Sequence, residues 1–500
     1  MSLHLGLLLG YSALLVGLGL WIGRRVAGTK DFFVAGRRLG PGLIFSTMLA
    51  ANIGGGSTVG ATGLGYRDGL SAWWWVGSAA LGSAVLAIWV GPRIRQVAAA
   101  HDLKTVGDFL ELRYGRQVRA IVAALLWLGS LAIPAGQLIA IATILNVVAG
   151  VPKYAGCLIG GAVVIVYFTA GGLLTSAWVN MVQLAVKLGG FAIALPLAIR
   201  GAGGFDALAR VQPNDASYWN PWHGGASGVM YVALLGPAFI VSPGLLQKIY
   251  GARDDRAVRL GVGLNAAGLL VYAAVPVLMG MIARLRFPEL PNHELALPMI
   301  LMHGVPPLVG SLGLAAVFSA EISAADAGLF MLTTSLSQDL YKRFLDPAAD
   351  DRRLLAVTRA AAIGCGAIAV SIAILSPTII GVIGIFYALL GVSLFVPILA
   401  GLYSDRAGTA EALAAIAAGV SAMLAVQLTT DGRGIGGVTP ALVGIAAAAL
   451  GFAIVFLSRI RQRRPGRERF PPPLANGTGQ LRGGSPKSRG SEGGSPASRV

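Results

Sequence analysis

The sequence is poor in charge. Asp, Glu, Lys and Arg make up 12% of its 500 residues, against roughly 25% in a soluble chain. That deficit rules out an ordinary cytosolic enzyme and a disordered polymer. Cysteine is scarce too. Cys157 and Cys365 each sit in an apolar run, which argues against a disulfide framework and a cysteine metal site. The five histidines, His4, His101, His223, His293 and His303, fall at the ends of apolar runs or between them, and no HExxH occurs. A membrane-embedded Ser-His or His-metal enzyme is therefore not expected. Gly54-Gly55-Gly56-Ser57-Thr58 lacks the Lys of a phosphate-binding loop, so ATP is not implied and no organic cofactor is expected.

What the chain does have is apolar length. Hydrophobic residues reach 55%, with 70 glycines, and the mean hydropathy is +0.72. An α-helix crosses a bilayer in about 20 apolar residues. Thirteen candidate spans follow: 3–22, 42–65, 70–91, 120–149, 155–173, 177–199, 227–247, 260–283, 308–336, 355–375, 377–403, 410–429 and 437–458. The reading is an all-α polytopic membrane protein. The first span has no Lys or Arg before it and Arg24-Arg25 after it, so it is expected to be a retained helix with its N-terminus outside. With that choice, 31 Lys/Arg fall inside and seven outside, with Lys187 left within a span. The split places the C-terminus inside.

The net charge is +17, and the stretch from Arg459 to Val500 supplies +8 of it. No basic stripe interleaves with aromatics, so the charge is read as orienting the helices rather than binding nucleic acid. The tail 465–500 is rich in Pro, Gly, Ser and Arg and is expected to be disordered, within reach of anionic membrane lipid. The expected organisation is a leading helix and loop (1–41), a core (42–403), two trailing helices (404–464) and the tail.

Two spans look interrupted. One contains Ala50-Ala51-Asn52-Ile53-Gly54-Gly55-Gly56-Ser57-Thr58; the other contains Gly236-Pro237 and Ser242-Pro243. Each opens a five-helix block, 42–199 and 227–403, and the blocks have opposite orientation. Discontinuous helices in corresponding places of inverted repeats mark the substrate site of secondary transporters. Close packing through small residues is the alternative.

Several stretches resemble the sodium:solute symporter family, which has a leucine-transporter-like fold. They are AANIGGGSTVGATGLGYRDG (50–69), GGLLTSAWVNMVQ (171–183), SPGLLQKIYGARDDRAVRLG (242–261) and AEISAADAGLFMLTTSLSQDLY (320–341). The likeness covers about residues 1–460 and implies one leading, ten core and two trailing helices. It implies a symporter that moves a small polar organic solute inward by alternating access, coupled to sodium. The ion would be held by the carbonyls of Ala50, Ile53 and Ala320 and by hydroxyls at positions 323 and 324. A hard cation suits such oxygen ligands.

This chain departs from that pattern. Ser323 keeps its hydroxyl, but Ala324 stands where a second Ser or Thr is usual. Asn180 stands where Asp is common, and Lys187 lies in mid-span. All three weaken a cation site. Glu321 and Asp326 lie on the same helix as Ser323, with Glu321 bordering Ala324. A lysine amine held by Glu321 or Asp326 can then replace sodium, giving sodium-independent or proton-coupled transport. The alternatives left open are a snorkelling or structural Lys187, and sodium bound with a water in place of the missing hydroxyl.

The candidate solute-binding residues are Asn52, Ser57, Thr58, Gln137, Ser242 and Tyr387. Sugar-carrying relatives have Gln at the position of Ser57 and Glu at that of Val76, which argues against a hexose. Trp73-Trp74-Trp75 is read as an outer-interface anchor, with one ring roofing the pocket as the other reading. A transporter-fold solute sensor remains a rival. No obligate protein partner is implied, and the composition and resemblance point to a bacterial inner membrane.

Overall fold

The computed structural model describes residues 37–212, 215–222 and 228–460 apart from 431, 433 and 437, with isolated positions between 6 and 17. Side chains at 170–181 are outside that description. The leading span and the tail from 465 therefore lie outside the described residues. Among those residues the protein is helical, with two isolated β-bridges and no strand.

Helix α1 (Pro41–Asn52) starts with proline in its first turn, where a missing N–H costs nothing. It stops at Asn52: Ile53 has φ −91° and ψ 89°, and residues 53–55 are not helical. Each glycine in a helix interior costs about 1 kcal/mol relative to Ala, so three in a row end the helix here. Winding resumes as a π-helical turn, Gly56–Gly60, and continues as α2 (Ala61–Asp68). The chain turns at Gly69 into α3 (Trp73–Val85) and α4 (Gly91–Ala100). Next come α5 (Val106–Tyr114), α6 (Arg116–Ser130), α7 (Ala132–Ala149) and α8 (Lys153–Gly201).

The second broken segment comprises α9 (Gly228–Val241) and α10 (Pro243–Tyr250). The break falls at Ser242, with φ −55° and ψ 120°. The sequence offered a second interruption at Gly236-Pro237, but α9 runs through it with Pro237 inside the helix. Proline clashes with the Cβ of the preceding residue in a helical conformation; Gly236 has none, whereas Ser242 does.

The rest is α11 (Asp255–Tyr272), α12 (Ala274–Arg286), α13 (Ala296–His303), α14 (Pro307–Thr334, extended by a π-helical stretch to Leu345), α15 (Asp351–Leu375) and α16 (Ile379–Tyr403). Helices α17 (Thr409–Thr429) and α18 (Pro440–Ile460) close the chain and pack mainly on each other and on α16.

Ten helices among the described residues are long and apolar enough to cross a membrane, where thirteen spans were expected. The first expected span is outside the described residues. Spans 42–65 and 70–91 join as one helical stretch, Gly56–Ala100, once the α1 half is cut off. Spans 155–173 and 177–199 run together as α8, 49 residues long and so about 73 Å at 1.5 Å per residue. The residues between them, Leu174-Thr175-Ser176, include neither proline nor glycine, and nothing local stops the helix.

Two sub-bundles face each other. Helices α1, α3, α9 and α11 pack together on one side; α7, α8, α14 and α15 form the other, and α16 touches both through α9 and α7. Their outward faces are apolar. Leu375, Leu428 and Val271 are 85%, 78% and 75% exposed, a state that water penalises by about 25 cal/mol per Å² and lipid does not.

One end of the bundle is tied by charge. Arg119 contacts Asp108 and Glu111 at 2.9 Å and Asp339 at 2.7 Å. Thr105 caps α5 in a reciprocal capping box with Asp108 and donates to Asp339 Oδ1 at 2.6 Å. Thr105→Ala should lower stability by about 1–2 kcal/mol, read as a drop in the melting temperature of the purified protein. No drop would mean that water replaces both bonds.

Between α12 and α14 the chain carries Glu294, buried against the start of α16, where its Oε1 accepts from the Ile379 N–H at 2.7 Å and its Oε2 has no partner. Burial pushes the carboxyl up from 4.5 to about 7, opposed by the N–H groups of Ile379 and Ile380. A carboxyl raised in the folded state holds its proton more tightly there. Its stabilising contribution is therefore full below the unfolded value and is lost as pH rises through about 7. Relative to Glu294→Gln, which keeps an oxygen for Ile379, the wild-type melting temperature should fall across that interval. Parallel pH profiles would show that the group does not couple to folding.

Candidate ion and solute site

The two breaks and α14 meet in the interior. Lys187, on α8, is fully buried. Its Nζ donates to the Ala50 carbonyl at 2.6 Å, the Ile53 carbonyl at 3.1 Å and the Ser323 Oγ at 3.0 Å. Ser323 Oγ also donates to the Ala50 carbonyl at 2.9 Å. The carbonyls are free because α1 ends there: the last four C=O groups of a helix have no intrahelical partner. A cation at this end also meets the negative pole of the helix dipole. Three oxygens that the resemblance assigns to sodium thus surround a lysine ammonium.

Glu321, two residues before Ser323 on α14, is fully buried. Its Oε1 accepts from Thr58 Oγ1 at 2.6 Å, and its Oε2 has no hydrogen-bond partner. Of the two carboxylates expected beside the lysine, Glu321 is the one whose charge acts on Lys187. It does so with no hydrogen bond between the two side chains among the described residues. Asp326 sits farther along α14, and its charge acts on Lys248. Ala320 is buried in α14, and Ala324 packs its methyl against Gly54. The side chain of Asn180 lies outside the described residues. Gln183, one turn before Lys187, is fully buried with neither amide atom bonded.

Beside this cluster is a cavity of about 80 Å³. Asn52, Ser57, Gln137, Ser242 and Tyr387 all line it; Thr58 does not, since its hydroxyl turns away to Gly54 and Glu321. Part of the expected solute-binding set also serves the backbone. Ser57 Oγ accepts from Gly54 N–H at 3.0 Å and donates to the Asn52 carbonyl at 2.7 Å. Gln137 Oε1 accepts from the Gly55 N–H. Asn52 donates to Asn265 Oδ1 at 3.1 Å, and Asn265 in turn to Ser83 at 3.2 Å.

Sequence reasoning missed Phe239 and Lys248 in the lining, and held one tryptophan as a candidate roof. Phe239 looked like any apolar residue of a span. Lys248 was counted as a loop charge, yet it is buried on α10, with Nζ donating to the Thr47 carbonyl at 3.0 Å. Its one signal was its place six residues after Ser242, within the half-helix that follows the break. Of the three tryptophans, Trp75 lines the cavity, whereas Trp74 packs against Trp222 with centroids 4.3 Å apart and the rings tilted by 32°.

A helical bundle with apolar outer faces and two interrupted helices converging on a polar hollow is the architecture of a secondary transporter. The chain belongs to the Sodium:solute symporter family, whose sequence profile matches residues 32–419. It is 26% identical over 425 residues to the high-affinity proline transporter PutP of Bacillus subtilis (strain 168), spanning 81% of this chain and 88% of the relative. It is also 26% identical over 443 residues to the sodium/pantothenate symporter of Escherichia coli (strain K12), spanning 82% and 88%. A substrate-bound, outward-open Na+-coupled sialic acid symporter has the same fold, with a TM-score of 0.78 at 16% identity over 92% of this chain and 98% of that one. Mhp1, a nucleobase-cation-symport-1 family transporter, gives 0.58 at 14% identity over 86% and 94%. The protein is a multi-pass membrane transporter of the leucine-transporter-like fold, and its relatives are transporters rather than enzymes.

Proposed function

We propose that the protein carries a small organic solute across the membrane by alternating access, without bound sodium between α1 and α14. The Lys187 ammonium stands there instead. One observation carries this reading: Nζ lies 2.6–3.1 Å from the Ala50 and Ile53 carbonyls and the Ser323 hydroxyl. A sodium ion needs those oxygens for itself, and two cations cannot share them. Ala324 supports the same reading, since it offers no further hydroxyl.

The family's description and its relatives favour sodium as the coupling ion, and that is the competing reading. Uptake into proteoliposomes under imposed sodium, proton or no ion gradient separates the two. Solute uptake that proceeds at full rate with sodium replaced by choline is expected. Uptake that strictly requires sodium, and persists in Lys187→Ala, would remove the proposal. Acceleration by a proton gradient would identify the proton as the coupling ion.

The orientation proposed with it puts the basic ends, including Arg95 and Arg119, at the cytoplasmic face. The bacterial inner membrane is the proposed location. The core is proposed as 42–403, with α17 and α18 as an appended pair, and the solute and membrane lipid as the partners.

A further inference from the structure

We infer that the solute is a small organic anion, a carboxylate with a flat apolar body, and that Lys248 receives its charged end. This rests on the carrier reading above and names the class of solute for the same cavity.

Among the side chains that line the cavity, Lys248 is the one basic group, and no Asp or Glu is with it. Lys187 and Glu321 are sealed behind the broken segment and do not line it. Asp326 balances Lys248 by charge but also lies behind the wall. The face turned to the solute is therefore the ammonium. One of its three N–H donors goes to the Thr47 carbonyl. Its other two N–H donors have no hydrogen-bond acceptor among the described residues, and a buried donor left unmade is costly, so a solute acceptor that carries negative charge is preferred over a neutral group of the same shape.

The remaining polar groups agree in sign. Trp75 Nε1 can only donate. Gln137 has its oxygen engaged by Gly55, which leaves its amide N–H groups. The hydroxyls of Ser242 and Tyr387 line the cavity and have no hydrogen-bond partner among the described residues. Against these, Asn52 Oδ1 is an acceptor whose amide nitrogen is already committed to Asn265. A wall rich in donors suits a carboxylate, which only accepts. A solute ammonium meets no carboxylate there.

The rest of the wall is aromatic. Tyr387 packs against Phe239 with centroids 5.5 Å apart, against Phe386 at 5.3 Å and against Trp75 at 6.2 Å. Rings at these spacings offer flat apolar faces against which the body of a small flat solute can pack.

The test is a binding panel on the purified full-length protein, followed by melting temperature and calorimetry. Benzoate and nicotinate are compared with their uncharged isosteres benzamide and nicotinamide, with choline as a cation and phenylalanine as a zwitterion. The carboxylates should bind about tenfold or more tightly than the matched amides, the usual worth of a charged hydrogen bond. Lys248→Gln should erase that preference by weakening the carboxylates, and Lys248→Arg should keep it. The wild-type comparison stands even if a variant fails to fold. Tighter binding of the amides, choline or phenylalanine overturns the inference. So does a panel in which no carboxylate binds, or a preference that survives in Lys248→Gln. Saturable carboxylate binding without uptake supports the anion class while removing the carrier reading, so the two fail separately.

Discussion

Replacing Lys187 by alanine should destabilise the protein by about 3–5 kcal/mol and, in the same variant, create a response to sodium that the wild type lacks. The substitution removes the only hydrogen-bond donor shared by the Ala50 carbonyl, the Ile53 carbonyl and the Ser323 Oγ. It also strips Glu321 of its nearby positive charge. The Ile53 carbonyl loses its donor, a cost of about 1–3 kcal/mol for a buried acceptor, whereas the Ala50 carbonyl keeps the Ser323 hydroxyl. What is left is a small hollow with oxygen walls at the carbonyl end of a helix. That is a place a sodium ion can fill. The measurement is the melting temperature of Lys187→Ala in sodium chloride and in choline chloride at equal ionic strength. A sodium-specific rise in the variant, and none in the wild type, is the expected result. A wild-type protein stabilised by sodium as strongly as the variant would mean that the ion binds with the lysine in place.

The second large effect is expected from Gly54→Ala. A Cβ built there would lie 2.2 Å from the Ala324 methyl and 2.8 Å from Gln137 Oε1, where carbon atoms in contact rest about 3.5–4.0 Å apart. The added methyl must push α14 and α7 off the broken segment, since the neighbours it meets are a rigid methyl and an amide held by the Gly55 N–H. Overpacking of this kind costs about 1–3 kcal/mol. Transport should suffer more than stability, because the displaced atoms belong to the cation cluster and the solute cavity. Pairing the change with Ala324→Gly relieves the carbon–carbon clash and should recover part of the melting temperature. Two substitutions whose effects simply add would show that the contact is not the cause.

Much of this site was legible in the sequence because its signals are local. Glycines at 54–56 and the Ser242-Pro243 pair interrupt a helix through backbone preference alone, and both interruptions are where that preference puts them. Lys187 stood out because an ionised group in mid-span is rare for energetic reasons. Gly236-Pro237 misled because a proline reads as a breaker, whereas the missing Cβ before it lets the helix continue. Thr58 was expected at the solute and belongs instead to Glu321. Its type and spacing fit both roles, and only the approach of α14 chose between them.

Membrane insertion, the apolar extent of the helices and the places where two of them fail are properties of short windows, so the order of residues alone determined them. The partner of Lys187 is a different matter. Ala50, Lys187 and Ser323 lie more than a hundred positions apart in the chain, and any of the free carbonyls at the end of α1 could have drawn the ammonium. The packing of α8 and α14 against that end decided it, as the packing of α10 against α1 turned Lys248 from an apparent loop charge into part of the cavity wall. Hydrogen bonds act over about 3 Å. Which groups come that close is a question of how helices stack, and stacking is a property of the whole bundle.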